Sequence, residues 1–160
     1  MPEDGALSAL AFDFGLRRIG VAAGQSITGS AAPVGVVDAR DGTPDWHNLD
    51  HLIREWAPDR LVVGLPYTMD GSEQEITRRA RAFARDLEQR YPHPVHVIDE
   101  RLSSKEAEAH LKELRQQGRR RITRGDIDCA AACVILESWF RAQDWKITTP
   151  RGPPHDKYQA

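Results

Sequence analysis

Three carboxylates stand where an acid could do chemistry: Asp13 inside the apolar stretch Leu10-Ala-Phe-Asp-Phe14, Glu100 just after Pro94-Val-His-Val-Ile98, and Asp128 near the start of a long apolar segment. An ionised group inside such a stretch costs several kcal/mol unless something compensates it, so Asp13 needs a partner. Carboxylates gathered in one place raise one another's pKa, whereas a divalent cation reverses that effect and holds them ionised. Hard oxygen donors of this kind suit Mg²⁺ or Mn²⁺, which activate a water and neutralise a phosphate during in-line attack. Each acid also has a plainer reading. Asp13 could be a paired structural acid, Glu100 could pair with Arg101, and Asp126 or Asp128 could cap a helix.

The elements that would position these acids follow from periodicity. Leu7 to Phe14, Ile19 to Ala23 and Ala31 to Val37 are short apolar segments separated by turn compositions, which predicts an antiparallel three-strand meander. Thr43-Pro44 predicts an N-cap with proline in the first helical turn, and Trp46, Leu49, Leu52, Ile53 and Trp56 continue at helical spacing to Pro58. Arg60 to Pro66 is a continuous apolar run, the pattern of a strand covered on both faces. Ser72 and Glu75 predict a capping box for a helix carrying Ile76, Ala80, Phe83, Ala84, Leu87 and Tyr91. Pro94 to Ile98 is a further strand. Ser103 and Glu106 predict a second capping box, opening a helix to about Gln117. The last helix is predicted from about Asp126 to Arg141, with Ile127, Ala130, Ala131, Val134, Ile135 and Trp139 as its apolar face.

This order, β-β-β-α-β-α-β-α-α, predicts an α/β fold with a mixed five-stranded sheet flanked by helices. Ligands in such sheets collect beyond the carboxyl ends of parallel strands, where Glu100 stands. At 160 residues the chain suits one domain, expected over residues 1–146, with a polar, proline-rich tail at 147–160. A net charge of −2 excludes a global basic field, so any nucleic-acid surface must be local. The absence of a signal-peptide pattern or a long apolar run predicts no membrane association and a cytoplasmic location. Cys129 and Cys133 are expected to be reduced core thiols.

The stretches Phe12-Asp-Phe-Gly-Leu-Arg-Arg-Ile-Gly-Val-Ala22, Val63-Gly-Leu-Pro66, Met69-Asp-Gly-Ser72, Asp99-Glu-Arg-Leu-Ser-Ser104 and Asp128-Cys-Ala-Ala131, in this order, resemble the YqgF family. That family has an RNase H-like fold. It is described both as Holliday junction resolvases and as nucleases that mature the 5′ end of pre-16S ribosomal RNA. The resemblance implies that Asp13, Glu100 and Asp128 are catalytic and bind metal, as one or two Mg²⁺ or Mn²⁺ ions. Asp126 is an extra acid, either an N-cap or a fourth ligand.

The implied activity is divalent-metal-dependent hydrolysis of phosphodiester bonds in pre-16S rRNA, with RNA favoured as partner and a ribosomal precursor particle as its setting. Resolution of branched DNA is the alternative, and a non-catalytic RNA-binding assembly module is a third. A monomer or weak homodimer is expected. Arg17, Arg18, Arg101, Arg119, Arg120, Arg121 and Arg124 are candidate phosphate contacts, and Tyr67, Met69 and Ser72 candidate groove residues. Asp70 reads as turn chemistry, and His47 and His51 as surface histidines.

Overall fold

A computed structural model describes residues 6–68, 70–100, 104–118 and 121–143. The meander is present as β1 (Ser8–Asp13), β2 (Arg18–Gln25) and β3 (Ser30–Arg40). A two-residue strand, β4 (Thr43–Pro44), then precedes α1 (Trp46–Trp56). β5 (Arg60–Leu65), α2 (Glu75–Arg90), β6 (Val95–Asp99), α3 (Ser104–Gln116) and α4 (Arg124–Ala142) complete the order. The sheet runs β4-β3-β2-β1-β5-β6. β1 to β4 pair antiparallel in sequence, whereas β1, β5 and β6 are parallel. This is the expected mixed α/β sheet, extended by β4 at one edge.

Alternation along the strands sorts side chains onto two faces. Leu10, Phe12, Ile19, Val21, Leu61 and Val63 form one core with Leu49 and Ile53 of α1 and with Phe83, Ala84 and Leu87 of α2. On the opposite face stand Ala9, Ala11 and Val62, packed on Ile135, Leu136, Trp139 and Phe140 of α4. That second face is built from small residues, and α4 accordingly lies close to the sheet. A Cβ added at Gly20 would meet the Asp128 carbonyl oxygen at 2.2 Å, and one at Gly64 would meet Ile135 Cδ1 at 2.5 Å. With the sheet beneath it and α3 also packed against it, α4 buries every residue from Cys129 to Leu136.

Three local expectations change. Thr43-Pro44 pairs with Ala39 and Arg40 as strand β4, and Asp45 caps α1 by accepting from the Asn48 amide. The capping box of α2 is Gln74 with Thr77, because Ser72 is held one turn earlier by Thr68 and Asp70. Ile127 is half-exposed and not part of the apolar face of α4. Ser103 lies outside the described residues, so the capping box assigned to it does too. Cys129 and Cys133 are buried free thiols, and burial pushes the Cys133 thiol up to about 12.

Candidate active site

The carboxyl ends of β1, β5 and β6 lie along one edge of the sheet. Asp13 is the last residue of β1. Glu100 extends β6 by one residue, its amide donating to Leu65 O at 2.9 Å. The parity of each acid places it. Asp13 alternates with Ala9 and Ala11, and Glu100 with Ile98, all on the face covered by α4. β5 separates the two acids, putting their backbones two strand spacings, roughly 10 Å, apart. Asp128 comes to this point because its turn of α4 rests on Gly20, the residue paired with Asp13 across β1 and β2.

The electrostatics record this convergence. The Asp13 carboxyl is pushed up to about 7, first by burial, then by repulsion from Asp128 and from Glu100. Glu100 in turn has its Oε2 shut off from solvent. Asp128 makes an ion pair with Arg18, Nε to Oδ2 at 2.9 Å, with about a third or less of either side chain exposed (32% and 21%). Among the described residues, no group of three His, Cys, Asp or Glu side chains is drawn tightly enough together to hold a metal ion. The donor set nevertheless fits a hard cation in kind. Three carboxylates converge on one partly dehydrated place, and burial first, then like-charge repulsion, holds Asp13 protonated towards neutral pH.

Asp126, the unplaced acid, closes the capping box of α4: its carboxylate accepts from the Thr123 amide at 2.9 Å, and its own amide donates to Thr123 Oγ1 at 3.1 Å. The loop after β5 is braced from α2. Arg81 donates to Tyr67 Oη at 2.8 Å and pairs with Glu73 at 2.7 Å, while Thr77 Oγ1 donates to Pro66 O at 2.6 Å. Within it, Thr68 and Ser72 hydrogen-bond Asp70 and hold its carboxyl down to about 2. Asp70 is thus a turn residue, as read from the sequence, and Ser72 serves the same turn.

Of the arginines singled out, Arg17 is exposed in the turn after β1, and Arg121 and Arg124 are exposed at the approach to α4. Arg101, Arg119, Arg120 and Met69 lie outside the described residues. Arg18, grouped with phosphate contacts by its sequence neighbours, instead meets Asp128, 110 residues away. No local pattern signals that pairing, because it exists only once α4 packs on β2. Arg81, Glu73 and Thr77 were likewise invisible as loop braces.

Residues 7–142 match the family model described as "RuvX: Holliday junction resolvase". The chain belongs to this family. Two relatives, from Escherichia coli O157:H7 and Escherichia coli O1:K1 / APEC, are 52% and 51% identical over 131 residues, covering 82% of this chain and 94% of theirs; both are provisionally named pre-16S rRNA nuclease. Among solved structures, Thermus thermophilus RuvC is similar at a TM-score of 0.51 and 12% identity, over 84% of this chain and 95% of that one. The same protein in complex with a Holliday junction gives 0.50 at 13% identity, over 85% and 94%. These likenesses show a RuvC-like, RNase H-like fold for this RuvX family member.

Proposed function

We propose that this protein is a divalent-cation-dependent nuclease of the cytoplasm that hydrolyses phosphodiester bonds in precursor 16S ribosomal RNA. The observation that carries the reading is the convergence of Asp13, Glu100 and Asp128 beyond the carboxyl ends of parallel strands, where burial and then repulsion from the other two acids lift the Asp13 carboxyl to about 7. A pure binding module would gain nothing by presenting anions to a polyanion. The RNA substrate is carried over from the named relatives.

Asp13, Glu100 and Asp128 are the residues that would hold Mg²⁺ or Mn²⁺. When bound, such an ion supplies neutralisation of the scissile phosphate and activation of the attacking water. The chain's own contributions are distinct. α4, seated on Gly20, fixes the height of Asp128 above the sheet. The chain leaving β5, braced by Thr77 on Pro66 and by Arg81 on Tyr67, stands between the strands that carry Asp13 and Glu100. Arg17, exposed in the turn after β1, and Arg121 and Arg124, exposed at the approach to α4, suit phosphates of a bound strand without reading its sequence.

The family's description favours a second reading, cleavage of branched DNA. It requires two active sites in two-fold symmetry. Both are tested together by incubating an end-labelled precursor rRNA fragment and a four-way DNA junction with the protein and with Asp13→Asn in Mn²⁺. RNA cleavage abolished by the substitution is the expected result. Junction cleavage alone would transfer the protein to DNA recombination, and undiminished cleavage by Asp13→Asn would refute the carboxylate site.

A further inference from the structure

We infer that Arg18 is a resident counter-ion competing with the divalent cation for Asp128, so that the site loads only as this ion pair opens. Resting on the cation-dependent reading above, the inference gives a positioning role to a residue that the sequence grouped with phosphate contacts.

The backbones on both sides are fixed. Arg18 begins β2, where it pairs with Asp38 of β3, and Asp128 sits on the turn of α4 that contacts Gly20. Only the two side chains can part. Their contact runs through one nitrogen and one oxygen, Nε to Oδ2 at 2.9 Å, a weaker arrangement than a two-point guanidinium-carboxylate fork. Both side chains retain partial access to solvent, so the pair can exchange. Meanwhile Asp128 and Glu100 both repel Asp13 across the site, yet the three acids are not gathered into a ligating group. The Arg18 guanidinium on Asp128 offsets part of that repulsion, and while the pair is closed it occupies one oxygen of a donor the cation would need.

Opening the pair gives Asp128 to the cation and leaves a guanidinium beside the place a phosphate would occupy. Arg18 would therefore link cation entry to substrate engagement. No proton or electron is transferred in this exchange.

The test is calorimetric titration of MnCl₂ into the full chain without nucleic acid, for the parent, Arg18→Gln and Arg17→Gln, with thermal melting of each in EDTA. Arg18→Gln is expected to bind Mn²⁺ about threefold tighter, the weight of one partly exposed ion pair, and to melt lower in EDTA because Asp128 loses its counter-charge. Arg17→Gln removes a neighbouring exposed charge and is expected to match the parent. Equal or weaker Mn²⁺ binding by Arg18→Gln overturns the inference, as does the same tightening in Arg17→Gln, which would indicate a general field. Should the Gln variant not fold, Arg18→Met keeps the aliphatic stem but removes the counter-charge from Asp128, and it must still tighten binding. Absence of Mn²⁺ binding by the parent would instead overturn the cation-dependent reading, and this inference with it.

Discussion

At the scale of single residues, Asp13 sets stability against function. Its carboxyl titrates near 4 in an unfolded chain and about 7 here, so the folded form holds its proton more tightly. The proton-bound state contributes stability in full below the unfolded value, and that contribution is lost as pH rises through 7. Above neutrality the metal-free protein therefore carries a penalty of at most ~4 kcal/mol from this one acid. Asp13→Asn removes it. The variant is expected to melt several degrees higher than the parent at pH 8 in EDTA and at nearly the same temperature at pH 4, while losing cleavage. Equal melting temperatures at pH 8 would mean that Asp13 is not under strain. At sub-saturating Mn²⁺ the same titration predicts that cleavage by the parent rises with pH towards a plateau above about 7, because protons compete with the cation for Asp13, and that the rise moves to lower pH as Mn²⁺ is increased. A pH-rate profile flat from 5 to 8 would contradict it.

At the scale of elements, the site depends on how closely one helix approaches one strand. Gly20→Ala would place a Cβ 2.2 Å from a backbone oxygen, which cannot move as a side-chain tip can. α4 must lift from β2 and carry Asp128 with it. A destabilisation of ~2 kcal/mol or more is expected, with cleavage reduced at least ~10-fold at temperatures where the variant stays folded. Circular dichroism melts and single-turnover cleavage check the two parts separately, and an unchanged rate would show that Asp128 tolerates the shift.

This packing marks the boundary of what the sequence could say. The strands and the main helices were legible because period-2 and period-3.6 patterns are local; Asp13 stands out by interrupting an apolar run, whereas Glu100 and Asp128 joined it as a set through the family resemblance. The cap of α2 was not legible. Ser72 and Glu75 have the spacing of a capping box, yet Ser72 is taken by the Thr68 and Asp70 turn, so Gln74 and Thr77 cap the helix instead. Thr43-Pro44 reads as a helix start, and the free edge of β3 recruits it as a strand. In each case a contact with another segment outweighed a local preference. The Arg18–Asp128 pair lies furthest from local legibility, since Asp128 reads from the sequence as a metal ligand or cap and Arg18 as a phosphate contact, and only the closure of α4 on the sheet brings them together.

At the scale of the whole molecule, the charge balance restricts how a polyanion can bind. With 22 basic against 24 acidic residues, long-range attraction is absent. The three clustered acids, with Arg18 paired to Asp128, would repel a phosphate until a cation is present. RNA affinity should therefore depend on divalent cation and on a few local arginines. Arg121 and Arg124 are exposed at the start of α4, the element that also delivers Asp128, and Arg17 is exposed in the turn that follows Asp13, so a strand held by them would pass the acids. If each contacts one phosphate, replacing it by Gln should lower the slope of log K against log salt by about 0.7 for single-stranded RNA, equally for unrelated sequences. Fluorescence anisotropy across a KCl series, with Mn²⁺ held constant, measures this directly. A slope unaltered by the triple substitution would move the binding track off this rim and leave the carboxylate edge to be approached from the β6 side of the sheet.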